Sequence, residues 1–117
     1  MLSTHNTLTD ERRKLWEALY GEKAIFDAQA AIEAVKADGS NLRYVFEQTE
    51  AICETAVKQN WEALEFVHNQ TERLCAIAIE ESWHALRLVN NQTEHLCELA
   101  IRRRWETLRL VHNQTEH

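Results

Sequence analysis

The chain is predicted to be all-α, a stack of short helical hairpins of the α-solenoid kind, and three observations carry that expectation. The first is a repeat with a step of 22 residues: Leu42-Arg43-Tyr44-Val45-Phe46-Glu47-Gln48-Thr49-Glu50 returns as Leu64-Glu65-Phe66-Val67-His68-Asn69-Gln70-Thr71-Glu72. It returns again as Leu86-Arg87-Leu88-Val89-Asn90-Asn91-Gln92-Thr93-Glu94 and as Leu108-Arg109-Leu110-Val111-His112-Asn113-Gln114-Thr115-Glu116. The second is composition: proline is absent and glycine occurs only at 21 and 39, while Ala, Leu, Glu and Arg are plentiful, a mix that favours helix over strand. The third is spacing. Ile52, Cys53, Ala56 and Val57 fall at i, i+1, i+4 and i+5, as do Leu74, Cys75, Ala78 and Ile79, and Leu96, Cys97, Ala100 and Ile101, which gives each segment one apolar helical face. A single unit cannot bury such a face alone, so neighbours must stack.

Taken in order, residues 1–8 are polar and expected to fray, and Thr9 is placed to cap a first helix with Asp10 and Glu11 at its positive end. Leu15, Trp16, Leu19 and Tyr20 follow at helical spacing, and Gly21 is a natural stop. A second helix is expected over residues 22–38, with Ile25, Phe26, Ala30, Ile32 and Val35, ending at Gly39. Its tail, Ala34-Val35-Lys36-Ala37-Asp38-Gly39, matches Ala56-Val57-Lys58-Gln59-Asn60-Trp61, so the repeat pattern already begins there. Residues 1–39 thus read as N-terminal cap helices and 40–117 as the repeats, within one compact domain.

Within each unit a short helix is carried by residues such as Leu64, Phe66 and Val67, and a turn of the Asn-Gln type follows. Thr49, Thr71 and Thr93 then stand where an N-cap hydroxyl belongs, with Glu50, Glu72 and Glu94 in the first turn. Each such cap is worth about 1 kcal/mol against Ala. The fourth copy ends at its own Thr115 cap, followed only by Glu116 and His117. The last unit is therefore expected either to be a trimmed cap or to have its apolar edge covered by a second chain, in a homodimer joined through the C-terminal edge.

Ala56-Val57-Lys58-Gln59-Asn60, then Ala63-Leu64-Glu65-Phe66-Val67, then Thr71-Glu72-Arg73-Leu74-Cys75 resemble the short helical repeats of the family called domain of unknown function 4116, over about residues 34–116. Family repeats look like Ala-Val-Lys-Gln-Asn-Gly, Ala-Leu-x-Tyr-Val and Thr-Pro-Glu-Leu-Cys. Here Trp61, Trp83 and Trp105 stand in place of the family's usual glycine, and the step is about two residues shorter. The resemblance implies an all-helical repeat fold and no catalytic residues.

The formal charge is −6, which argues against direct nucleic-acid binding, because phosphate neutralisation requires clustered Lys and Arg. Its distribution is uneven: residues 47–98 hold ten acidic and three basic side chains, while residues 99–117 hold two against four. Arg102-Arg103-Arg104, with Arg87 and Arg109, is the one dense basic cluster, and it is expected at a helix C-terminus, compensating the dipole. No apolar run approaches the roughly 18 residues of a membrane span, and the N-terminus has charges where a signal peptide needs an apolar stretch. A cytoplasmic protein is expected.

Cys53, Cys75 and Cys97 share a repeat position and are expected as reduced, buried thiols, since stacked repeats stand about 9–10 Å apart, beyond disulfide reach. His68 and His112 share a position, and His84 and His95 lie near Cys97, yet no C-x-x-C or H-x-x-x-H pair is present. Neither a metal site nor any cofactor is expected. A thiol on a core face is not activated for catalysis, and no other catalytic constellation stands out.

The function expected is that of a non-catalytic protein–protein interaction module. Its candidate partner-binding side chains are the once-per-repeat rings Trp61, Trp83 and Trp105 and the acidic row Glu65, Glu72 and Glu94. The alternative is a small acidic inhibitor from a phage or mobile element, of the anti-CRISPR type, that blocks a nucleic-acid site on a host defence protein by charge mimicry.

Overall fold

The computed structural model describes the backbone of residues 4–115 and the side chains of residues 9–109. Five α-helices alternate with 3-10 turns: α1 (Thr4–Tyr20), α2 (Ala28–Ala37), α3 (Glu50–Gln59), α4 (Glu72–Glu81) and α5 (Glu94–Thr115), with six-residue turns at Gly39–Tyr44, Trp61–Phe66 and Trp83–Leu88. The stacked hairpin architecture follows the 22-residue step, and the short first helix of each hairpin is a 3-10 turn. Six residues allow too few i→i+4 bonds for a stable α-helix, so the tighter winding takes their place.

Local chemistry sets each boundary. Asp27, Thr49, Thr71 and Thr93 stand 22 residues apart. Asp27 Oδ2 accepts from Ala30 N at 2.9 Å, and the three threonine hydroxyls each accept from the N–H three residues on at 3.2 Å. The α-helices then stop at Asp38, Asn60 and Ser82, whose side chains accept from Ser40 N, Glu62 N and His84 N at 3.0, 3.1 and 3.3 Å. One capping residue therefore closes the α-helix and opens the 3-10 turn.

Each repeat helix has two apolar rows one residue apart, one for each neighbour. Ile52 and Ala56 face the preceding layer, while Cys53 and Val57 face the following one, and all four are buried. The array's ends confirm the polarity. In α2 Ala30 is exposed and Ala34 half-buried while Ala31 and Val35 are buried; in α5 Leu96 and Ala100 are buried while Cys97 is half-buried and Ile101 exposed.

The loops are joined by one side chain per repeat. Gln48 Nε2 donates to Leu42 O in its own loop at 3.4 Å and to Phe66 O in the next loop at 2.9 Å, and its Oε1 accepts from His68 N at 2.9 Å. Gln70 repeats this with Leu64 O at 3.1 Å, Leu88 O at 2.9 Å and Asn90 N at 2.9 Å. Every buried loop carbonyl so engaged escapes the cost of going unpaired. At the front of the array the backbone of Ile25 takes the glutamine's place: its N–H donates to Tyr44 O at 2.8 Å and its carbonyl accepts from Phe46 N at 2.9 Å.

Four expectations are corrected. Residues 4–8 are helical and Thr9 lies inside α1, because nothing in residues 4–9 is a helix breaker; residues 1–3 lie outside the described set. The helix expected over residues 22–38 starts at Ala28, since Asp27 caps it and residue 25 is held extended against Val45; Gly21, at φ +60°, does end α1. The fourth copy is not a new hairpin but the continuation of α5, and Thr115 is its last helical residue rather than a cap. At the step of Asp38, Asn60 and Ser82 stands Arg104, which has no acceptor with which to stop the helix. For the same reason Arg102-Arg103-Arg104 lies within α5, not at a C-terminus. Glu116 and His117 lie outside the described residues.

The ladder makes a stability prediction. Gln70→Ala removes three hydrogen bonds, two of them to the next loop, and is expected to lower unfolding stability by about 2–3 kcal/mol, whereas Gln92→Ala, which loses one exposed bond to Leu86 O, costs about 1 kcal/mol or less. Urea unfolding of both variants checks this, and equal losses contradict it.

Candidate functional site

The repeated surface has two kinds of feature, rings with their cations and carboxylates with their partners. Trp61 and Trp83 are half-buried. The His84 ring stacks on Trp83 at 3.8 Å between centroids and lies 6.5 Å from Trp61, so it bridges two repeats. Arg87 stands over Trp61 at 5.7 Å and Arg104 over Trp83 at 5.5 Å, within the range of cation–π attraction. Each ring is thus covered by a side chain from the following layer. Among the described residues nothing covers Trp105, which is 65% exposed.

The acidic row is not one continuous surface. Glu72 accepts from Thr93 Oγ1 at 2.7 Å, which spends one of its oxygens on the next helix cap. Glu65 and Glu94 are exposed. Glu65 sits in the Trp61–Phe66 turn and Glu94 at the start of α5, so Glu65 does not share the repeat position of Glu72 and Glu94. Elsewhere in the acidic block Arg73 of α4 pairs with Glu54 and, at 3.6 Å, with Glu50 of α3, while Lys58 pairs with Glu54 at 3.1 Å. Arg73 first and Lys58 second hold the Glu54 carboxyl below its usual range.

Two equivalent grooves lie one repeat apart on the loop side. One is lined by Gln48, Glu50, Cys53 and Thr71, the other by Gln70, Glu72, Cys75 and Thr93. Their thiols are poor nucleophiles. Burial, helped by Glu50, pushes Cys53 up to about 11, and burial with Glu72 raises Cys75 in the same direction. Each of these two thiols points its Sγ at the glutamine of the ladder, at 3.5 and 3.6 Å. All three cysteines are free, and Cys97 is half-buried. Among the described residues no three His, Cys, Asp or Glu side chains converge as a metal site requires, and no helix is long and apolar enough to cross a membrane.

The front of the array has an aromatic cluster that sequence reasoning did not identify. Trp16 Nε1 donates to Tyr44 O at 2.9 Å, and the Trp16 ring meets Phe46 and His68 edge-on at 5.7 and 5.2 Å. This cluster docks α1, leaving Leu15 and Leu19 exposed on the outer side. Its sequence signal was Phe46, a phenylalanine where the later copies carry His68, Asn90 and His112.

At the far end the exposed positions form a set. Leu42 and Leu64 are fully buried but Leu86 is half-buried; Val57 and Ile79 are fully buried but Ile101 is 56% exposed; Leu64 is fully buried but Leu108 is 43% exposed. Leu86, Gln92, Cys97 and Ile101 are the surface that every inner repeat covers with its successor. No protein-family model matches the chain, and no curated protein or solved structure matches it either.

The Arg73–Glu54 pair has a pH signature. Glu54 titrates lower when folded than its ordinary 4.5, so the pair contributes stability above that value and loses it as pH falls through the folded value. Arg73→Met is therefore expected to flatten the loss of thermal midpoint between neutral pH and the carboxylate range; a slope equal to the parent's contradicts the assignment.

Proposed function

We propose that the protein is a non-catalytic protein–protein interaction module, engaged chiefly through the far end of its repeat array. One observation carries this reading: Leu86, Ile101 and Leu108 are exposed or half-exposed at positions whose inner equivalents are fully buried. Exposed apolar surface rimmed by charge, here Glu98, Arg102 and Arg109, is the usual mark of a binding face. Trp105 is the strongest anchor of the tryptophan set, with Trp61 and Trp83 offering only ring edges beneath their arginines. We place the protein in the cytoplasm, where its three free thiols stay reduced, and regard a homodimer through this edge as one form of engagement.

The alternative, a phage or mobile-element inhibitor that mimics nucleic acid, draws support from the exposed Glu65 and Glu94 and from the surplus of carboxylates over residues 47–98. Against it stand the carboxylates already engaged, Glu50 and Glu54 by Arg73 and Glu72 by Thr93.

The two readings part in a pull-down from lysate of the source or host cell, with nuclease treatment and a salt series. The array-end reading expects a partner retained at high salt and lost at least tenfold with Ile101→Glu or Trp105→Glu, in variants whose circular dichroism matches the parent's. Charge mimicry expects capture that falls steeply with salt and is abolished by Glu72→Lys with Glu94→Lys. Retention unaffected by all four substitutions rejects both surfaces.

A further inference from the structure

The surface left open at the far end has a defined complement, which can be read from the inner repeats. Gln48 and Gln70 each bind the next loop through a carbonyl and through the N–H two residues further on: Phe66 O and His68 N, then Leu88 O and Asn90 N. The same pair in the first loop, Tyr44 O and Phe46 N, is taken by a single extended residue, Ile25. Among the described residues Gln92 bonds only to its own loop, at Leu86 O. The missing layer is thus a 3-10 turn that continues into extended backbone.

The chain encodes that layer itself. At the repeat step from Trp83, Leu86, Leu88, Val89 and Gln92 stand Trp105, Leu108, Leu110, Val111 and Gln114, and the atoms equivalent to Leu88 O and Asn90 N belong to residues 110 and 112. These residues lie in α5 instead, beyond Arg104, the one capping position without an acceptor. No linker is required to bring them back. In the inner repeats the turn begins directly after the cap, at Trp61 after Asn60 and at Trp83 after Ser82. Position 107 also tolerates the change: its equivalents Ala63 and Ala85 are buried, but Asn41, at the same step, is accommodated by donating to Ala34 O at 3.0 Å, and a Thr107 hydroxyl has Ala100 O at the same offset.

We propose that residues 105–112 are a final repeat turn held in helical form, and that they fold back in the same chain over the Trp83–Leu88 turn to complete the array. The helical form keeps its backbone bonds, the Arg103 contacts to Glu106 and Glu80 O, both at 2.9 Å, and Arg104 over the Trp83 ring at 5.5 Å, which Arg104→Asn also removes. The folded-back form covers Ile101 and Leu108 and gives Gln92 its two missing partners. The balance hangs on a cap worth about a factor of five to ten in the equilibrium. Folding back within one chain has the advantage of proximity over capture of the same segment from a second copy. Any partner at this end must compete with the chain's own segment, although the fold-back itself does not depend on there being a partner.

Arg104→Asn supplies the missing acceptor and tests this. In the intact protein the variant is expected to lose up to about a dozen residues of helical circular dichroism and to remain monomeric by sedimentation. Cys97, followed by peptide mass spectrometry, should label with a thiol reagent more slowly than in the parent, though still faster than Cys75, which Leu96 of the next helix covers. Adding Leu108→Glu to this variant should restore Cys97 labelling. Unchanged helicity and labelling overturn the proposal. So does helix loss with Cys97 still reactive, which is simple fraying, and so does protection that appears only with dimerisation, which assigns the segment to a second copy. Rapid Cys97 labelling in Arg104→Asn thus refutes the fold-back while leaving the interaction reading to its own pull-down.

Discussion

A glutamine carboxamide, Gln48 or Gln70, at the end of each inner loop joins one layer to the next, and the rest of the array depends on it. Its amide nitrogen donates while its carbonyl oxygen accepts, so it satisfies a carbonyl in its own loop and both a carbonyl and an N–H in the neighbouring one. Apolar stacking alone would leave the layers free to slip, because Cys53 against Leu74 and Cys75 against Leu96 make smooth, weakly directional surfaces. The carboxamide fixes the register, and with it the 22-residue step becomes a geometric one. Sulfur packed against the carboxamide oxygen closes the joint from inside.

An array so built has two unlike ends. At the front Ile25 closes the ladder with its backbone, and Trp16 fastens α1 over the joint through Tyr44 O and the Phe46 ring. At the back, among the described residues, Gln92 reaches no further loop, and an apolar strip, Ile101, Trp105 and Leu108, runs out along α5. The middle repeats are chemically quiet: thiols raised by burial, carboxylates engaged by Arg73 and Thr93, rings covered by arginines.

Much of this was legible in the chain. Thr49, Thr71 and Thr93, and the paired apolar rows after them, depend on contacts within one or two helical turns, so periodicity located them. The glutamines were equally visible as identical residues at 48, 70 and 92, yet they read as turn residues, because their partners lie 18 and 20 positions away. The tryptophans were singled out as a set, and their differing environments follow from layer order: the arginine over each ring comes from the next repeat, and Trp105 has none.

What the sequence by itself determined is the repeat, its helices and their caps, since propensity and capping act over a few residues. Even the loss of the last hairpin was written locally, in Arg104 standing where Asp38, Asn60 and Ser82 carry acceptors. Only the tertiary structure decided that residue 25 is extended rather than helical, that the glutamines are joints, and that the acidic row is partly engaged. Each of these turns on a carbonyl, an amide or a charge from another layer, whose position exists only once the layers have stacked.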